Sequence, residues 1–254
     1  MARQARILSE TGMYHIMLRG LNKQCIFSDD KDYMKFIEIL SSVKNDTNLQ
    51  IYAYCMMPNH VHLFVREAQK GDISSIMKRI LSHYAGWYNF KHERTGHLFS
   101  NRYKSIPVED DSYFLTLSRY IHQNPIKAQL SENMQSYKYS SYSDYVDGSI
   151  GLTDVDFLLD MLDENRKMAI KQFVKFTASD CDEKDFEDSL RLKDIAAQVK
   201  IIQITGGMKP YEIRNLPKDE RNAILLKIIE ECNIEKKTLS RLTGIPRASL
   251  YRII

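Results

Sequence analysis

His60 and His62 stand one residue apart in the apolar run Pro58-Asn59-His60-Val61-His62-Leu63-Phe64-Val65. In a β-strand residues i and i+2 point to the same face, so these two imidazoles lie side by side. Neutral imidazole suits several divalent ions, and two on one face make half of a metal site. Two packed histidines inside a buried strand fit the same spacing, and both readings stay open on this stretch alone.

A metal that acts on a substrate needs at least one more protein ligand and an open position. The chain has no HxxH or HExxH motif. In Asp111–Pro125 (DSYFLTLSRYIHQNP), however, Tyr120 and Asn124 lie four apart and therefore on one helical face. Packed beside the sheet face of His60 and His62, that helix offers Asn124 as a ligand and Tyr120 to a metal-bound substrate. A tyrosine hydroxyl, with an ordinary pKa of about 10, becomes a useful nucleophile when a neighbouring cation stabilises the phenolate. The bland alternatives are equally plain: Tyr120 shares a stripe with Tyr113, Phe114, Leu117 and Ile121, and Asn before Pro is a common helix terminator.

The elements that must position these residues follow from pattern. Thr11 to Leu21 reads as a strand, and Asp29-Asp30 caps a helix through Tyr33, Phe36, Ile37 and Leu40. Gln50–Met57 and His60–Arg66 read as two strands of a hairpin turning at Pro58-Asn59. Asp72 opens a long helix toward Glu93, Tyr103 to Glu109 suits a fourth strand, and Asp110-Asp111 caps a helix that Asn124-Pro125 ends. The order β-α-β-β-α-β-α predicts an α+β fold: a ferredoxin-like split βαβ antiparallel sheet with flanking helices.

Charge is informative by its distribution, because the net value is only +3. From Ile76 to Lys104 there are six Lys/Arg (Lys78, Arg79, Lys91, Arg94, Arg102, Lys104) against Glu93 alone, interleaved with Tyr84, Trp87, Tyr88, Phe90, Phe99 and Tyr103. Cations for phosphates and flat rings for unstacked bases suit single-stranded nucleic acid. A helix with a basic solvated face and aromatics in the core gives the same pattern. The four cysteines are scattered without a CxxC pair, no apolar run reaches membrane-spanning length, and the N-terminal segment lacks a secretory apolar core. A cytoplasmic protein is expected.

Three domains are expected: 1–148 with the sheet, an acidic helical connector over 149–204, and a basic all-α region over 205–254. Thr205 to Ile254 holds ten Lys/Arg against six Asp/Glu. Within it a short helix stops at Gly244 and another begins at Pro246, the pattern of a helix-turn-helix. Its second helix places Arg247, Ser249 and Arg252 where a reader of the major groove needs them. A helical hairpin for protein contact is the alternative.

Three ordered motifs carry a resemblance: PNHVHLFV around His60 and His62, Gly96-His-Leu-Phe-Ser-Asn-Arg-Tyr-Lys104, and Ser118-Arg-Tyr-Ile-His-Gln-Asn-Pro-Ile-Lys-Ala128. Over roughly residues 8 to 147 the chain resembles the single-tyrosine HUH transposases, and among them the REP-associated (IS200-like) tyrosine transposases. The tail from about Thr205 resembles the helix-turn-helix extension of some members. The resemblance implies an enzyme that nicks and rejoins single-stranded DNA near a hairpin through a 5′-phosphotyrosine, using Mg²⁺ or Mn²⁺. It makes Tyr120 the nucleophile and His60 and His62 metal ligands. Asn124 stands where the family carries a polar third ligand, often Gln, with Gln123 and His122 as alternatives. It also implies backbone contacts from Lys78, Arg79, Arg94, Arg102 and Lys104, duplex DNA on the C-terminal region, a nucleoid-associated protein, and a monomer or homodimer. A non-catalytic DNA-binding regulator derived from such an enzyme is the competing function.

Overall fold

Alternating side chains decide the sheet. In β3 (His60–Arg66) Val61, Leu63 and Val65 go to one apolar cluster, while His60, His62 and Phe64 take the opposite face. The structure, a computed structural model, describes residues 6–100, 102–147, 151–180, 197, 199–232, 234, 236–251 and 253. Strands β1 (Met13–Arg19), β2 (Gln50–Met57), β3 and β4 (Lys104–Pro107) form one antiparallel sheet in the order β2-β3-β1-β4. This is the expected split βαβ sheet, with β4 shorter than the stretch 103–109.

Helices α1 (Asp30–Thr47) and α2 (Ile73–Lys91) cover the first face, where Phe36, Leu40, Ile76 and Ile80 meet Ile16 and Leu63. Asp29 starts α1 through a capping box with Asp32. The second face is covered by α3 (Asp111–Lys127), whose Phe114 ring sits 4.5 Å from Phe64 and 5.2 Å from Tyr52. Full burial of such a side chain contributes on the order of 1.5–3 kcal/mol. That aromatic contact fixes α3 against β3. The Asp110 carboxylate caps α3 by accepting from the Tyr113 amide at 2.8 Å. The helix does not end at Asn124-Pro125 but runs on to Lys127. A proline in the final turn removes one backbone donor and leaves the preceding turns intact.

Beyond α3 come α4 (Tyr142–Val146), α5 (Asp156–Leu162) and α6 (Arg166–Ala178). Phe173 of α6 stacks on Tyr145 at 4.4 Å and meets the His122 ring at 5.5 Å. The Gln123 amide donates to the carbonyls of Thr177 and Ser179 at 2.8 and 2.7 Å. Residues 6–127 and 131–180 therefore fall in one compact unit; the described residues from 197 on, with 128–130, fall in another.

The second unit has its own apolar cluster of Ile201, Ile213, Leu225, Ile228, Leu239 and Leu250. It holds helices Lys218–Cys232, Lys236–Thr243 and Arg247–Tyr251. Gly244 follows the second of these with φ +74°, and its amide donates to the Ser240 carbonyl at 2.9 Å. This left-handed cap stops the helix where the sequence predicts. Among the described residues no helix is long and apolar enough to cross a membrane.

Candidate active site

The strand register builds the site row by row. Directly opposed residues of antiparallel strands share a face. His62 lies between Cys55 of β2 and Met17 of β1, and Met17 in turn opposes Lys104 of β4. His60 lies between Met57 and Arg19, and Phe64 between Ala53 and His15. One sheet face thus presents His15, His60 and His62 together, flanked by the cations of Arg19 and Lys104.

The three imidazoles are buried, with exposures of 1%, 4% and 0% for His15, His60 and His62. The His60 and His62 rings meet edge to face at 4.9 Å. His60 Nδ1 is 2.8 Å from Asn59 Oδ1, and His62 Nδ1 is 2.9 Å from His15 Nε2. Cys55 shares this face, but burial pushes its thiol pKa well up, so it stays a thiol at neutral pH.

Tyr120 reaches the same face from α3. Its ring lies 5.5 Å from that of His62 at an interplanar angle of 87°, and 6.2 Å from that of His15. The Lys127 ammonium is 5.8 Å from the Tyr120 ring centroid, two helical turns on. Asn124 is fully buried one turn beyond Tyr120; its Nδ2 donates to the Tyr120 carbonyl at 2.8 Å. Tyr120 is therefore brought onto the face of the β3 pair, and Asn124 lies one turn further along the same helix.

Asn124 Oδ1 gives a test of fit for a divalent cation. It is buried and has no hydrogen-bond partner among the described residues. A buried acceptor left so costs about 1–3 kcal/mol, which a cation ligated by that oxygen would offset. Two imidazoles and a carboxamide oxygen form a mixed N/O donor set suited to first-row divalent ions, and they fit the cation. Among the described residues no group of three or more His, Cys, Asp or Glu side chains is placed to hold a metal, so the carboxamide is needed to complete a set.

The alternative third ligands are engaged elsewhere. His122 Nε2 is 2.8 Å from Ser141 Oγ, and its ring packs among Tyr142, Tyr145 and Phe173. Complete burial pulls its pKa down to about 3, so it is neutral. The Gln123 amide nitrogen is bound to the two carbonyls near the end of α6.

The basic residues separate into groups. Lys104 is exposed on the face of His62, and Arg102 is exposed beside it. With Arg6, His97, Phe99 and Tyr103 they line a cleft of about 850 Å³, where the Arg6 guanidinium lies 3.7 Å over the Tyr103 ring. Lys78 and Arg79 sit on α2, which packs on the opposite face, and Arg79 is paired with Asp46. Arg94 donates to Gln24 Oε1 at 2.9 Å and lies 5.6 Å from the Tyr88 ring centroid. Tyr84 and Tyr88, expected as candidate stacking platforms, are fully buried in the α1–α2 core; Phe90 is 86% exposed. In the second unit Arg247 is exposed and Ser249 half-buried; Arg252 lies outside the described residues.

His15, Arg19 and Lys127 join the site although none of the three is among the sequence-based candidates. The first two were legible in the alternation His15, Met17, Arg19 once β1 was placed beside β3. Lys127 was legible as the residue seven after Tyr120 on one helical face.

The site is thus a four-stranded split βαβ sheet with paired histidines on one strand and a tyrosine on the helix packed across them. Residues 9–124 match the family model described as "Transposase IS200 like". A solved structure of a REP-associated tyrosine transposase bound to a REP hairpin shares the fold. It is 17% identical, with a TM-score of 0.50, over 60% of this chain and 90% of that one. A provisionally assigned transposase from Deinococcus radiodurans is 19% identical, with a TM-score of 0.34, over 48% of this chain and 95% of that one. No curated protein matches the chain.

Proposed function

We propose that this protein is a metal-dependent strand-transferase that cleaves and rejoins single-stranded DNA near hairpins, with Tyr120 as nucleophile. The observation that carries the reading is the edge-on meeting of Tyr120 with His62, whose ring also meets that of His60, with Asn124 buried one turn further along the helix of Tyr120. Hairpin DNA as substrate is supported by the similar fold of a transposase bound to a REP hairpin.

His60, His62 and Asn124 would hold the divalent cation, Mg²⁺ or Mn²⁺. When bound there, such an ion supplies charge neutralisation and polarisation at the scissile phosphate. The remaining work belongs to the chain. Arg19 and Lys104 flank the histidine rows and hold phosphate oxygens, and Arg102 and Arg6 extend this cationic track along the cleft. Tyr120 Oη loses its proton and forms a bond to phosphorus. The bond from phosphorus to the 3′-oxygen breaks, and that oxygen takes up a proton. A 5′-phosphotyrosyl enzyme and a free 3′-hydroxyl result, and attack by a 3′-hydroxyl reverses the step. One phosphodiester replaces another, so no ATP is consumed. Lys127 stabilises the phenolate by its charge. Arg247, Ser249 and Arg252 are assigned to duplex DNA through the helix-turn-helix.

The test is incubation of labelled single-stranded hairpins, carrying randomised flanks, with protein and Mn²⁺, followed by a denaturing gel. A covalent adduct that disappears in Tyr120→Phe is expected. Tight hairpin binding with no adduct from any flank, in either metal, would instead identify a DNA-binding regulator.

A further inference from the structure

We infer that Asn59 and His15 are positioning residues that fix the tautomers of His60 and His62, leaving Nε2 of each as its ligand atom. The inference rests on the metal-site reading of the two histidines, but the tautomers can be read without any metal.

The His60 half follows from donor and acceptor types. Asn59 is buried, and its Nδ2 donates to the Lys23 carbonyl at 3.3 Å. This turns Oδ1 toward His60 Nδ1, 2.8 Å away. A carboxamide oxygen has no proton to give, so His60 Nδ1 is the donor. In a neutral imidazole the lone pair then sits on Nε2. The carbonyl that orients Asn59 is itself held at some cost. Asn22 and Lys23 both occupy the left-handed region, at φ 51° and 62°, in the turn directly after β1. Strain of that kind persists where surrounding structure demands it. The β3 end is tied to the same turn by the Gly20 amide, which donates to the Asn59 carbonyl at 2.9 Å.

The His62 half has two possible protonation patterns. Its Nδ1 is 2.9 Å from His15 Nε2, with the rings stacked at 5.2 Å and 24°, and one proton lies in that contact. If His15 donated, His62 would carry its proton on Nε2 and present no lone pair to a cation there. If His62 donates, its Nε2 has the lone pair, as in His60. Only the second pattern gives the strand two ligands of the same kind, and His15 must then accept through Nε2 and carry its own proton on Nδ1. Hydrogen bonds of this sort to the far nitrogen orient a ligating imidazole and raise its basicity.

The test uses the full chain with ¹⁵N-labelled histidine at pH 8 without metal. Two-bond ¹H–¹⁵N correlation spectra read which nitrogen of each ring is protonated. Nδ1–H is expected for both His60 and His62. His15→Phe is expected to shift His62 toward Nε2–H while His60 is unchanged, and Asn59→Ala to do the converse. In calorimetric titration with Mn²⁺, His15→Phe should weaken binding roughly tenfold to a hundredfold. His15→Gln, which keeps an acceptor oxygen, should recover most of the loss. Nε2–H at His62 in the unaltered protein overturns the tautomer assignment, whatever the variants do. Nδ1–H at both without Mn²⁺ binding upholds the tautomers and overturns the metal-site reading. Unchanged Mn²⁺ affinity in His15→Phe overturns the positioning role.

Discussion

The ring of Tyr120 meets the ring of His62 edge-on, with centroids 5.5 Å apart and planes at 87°. The two residues come from different elements, and nothing local brings them together. Their meeting depends on the aromatic contact one to two turns earlier on α3, where Phe114 packs on Phe64 and Tyr52. Positioning a nucleophile against a phosphate is the main catalytic task in phosphoryl transfer, so packing at Phe114 is linked to rate.

Phe114→Ala is therefore expected to lower stability by about 3–5 kcal/mol in urea unfolding. Adduct formation should fall further than hairpin affinity, because the loosened helix carries the nucleophile, whereas Arg102 and Lys104 lie outside it. Equal losses in both measurements would detach Tyr120 from this packing.

The carboxamide of Asn124 makes a separate prediction. In Asn124→Ala the Mn²⁺ affinity should drop about tenfold or more, since a ligand is lost. Without metal the variant should be about as stable as the parent. Removing a buried acceptor relieves about 1–3 kcal/mol, which offsets the lost bond to the Tyr120 carbonyl. Thermal unfolding with and without Mn²⁺ checks both halves: the parent gains Tm on adding metal and the variant gains much less.

Lys127→Met should slow adduct formation about tenfold, equivalent to ~1.4 kcal/mol, while hairpin affinity stays nearly constant. Single-turnover kinetics beside a binding titration separates the two. A loss confined to affinity would make Lys127 a backbone contact rather than a partner of the phenolate.

His122 predicts acid sensitivity. Its folded pKa, about 3, lies below the ordinary value of 6.5 because of burial. Below pH 6.5 the unfolded chain binds a proton that the folded chain refuses, so stability falls as pH drops toward 3. The slope from this group approaches about 1.4 kcal/mol per pH unit in that window. His122→Gln, which does not titrate, should lose less stability between pH 7 and pH 4.5 in urea unfolding. Equal losses would assign the acid sensitivity to other groups.

Much of the frame was legible because its signals are local. The strands Gln50–Met57 and His60–Arg66 fall where alternation and the Pro58-Asn59 turn place them, and Asp29 starts α1 as its side-chain chemistry requires. Tyr120 and Asn124 share a helical face by spacing alone. What was missed is what needs the sheet order. His15 and Arg19 join the site because β1 pairs with β3, and no spacing within one segment reveals that. The basic-aromatic stretch misled for a related reason. Tyr84 and Tyr88 lie on the buried face of α2, where an aromatic serves as core as readily as it serves a base. Asn124-Pro125 reads as a stop in the sequence, yet a proline in the last turn costs the helix only one donor.

The most direct measurement of the central claim is peptide mapping of the covalent DNA adduct by mass spectrometry after digestion of protein and DNA. A nucleotide attached through phosphate to Tyr120, and absent from Tyr120→Phe, is the predicted result. Attachment at any other residue, or an adduct of equal yield in Tyr120→Phe, would contradict it.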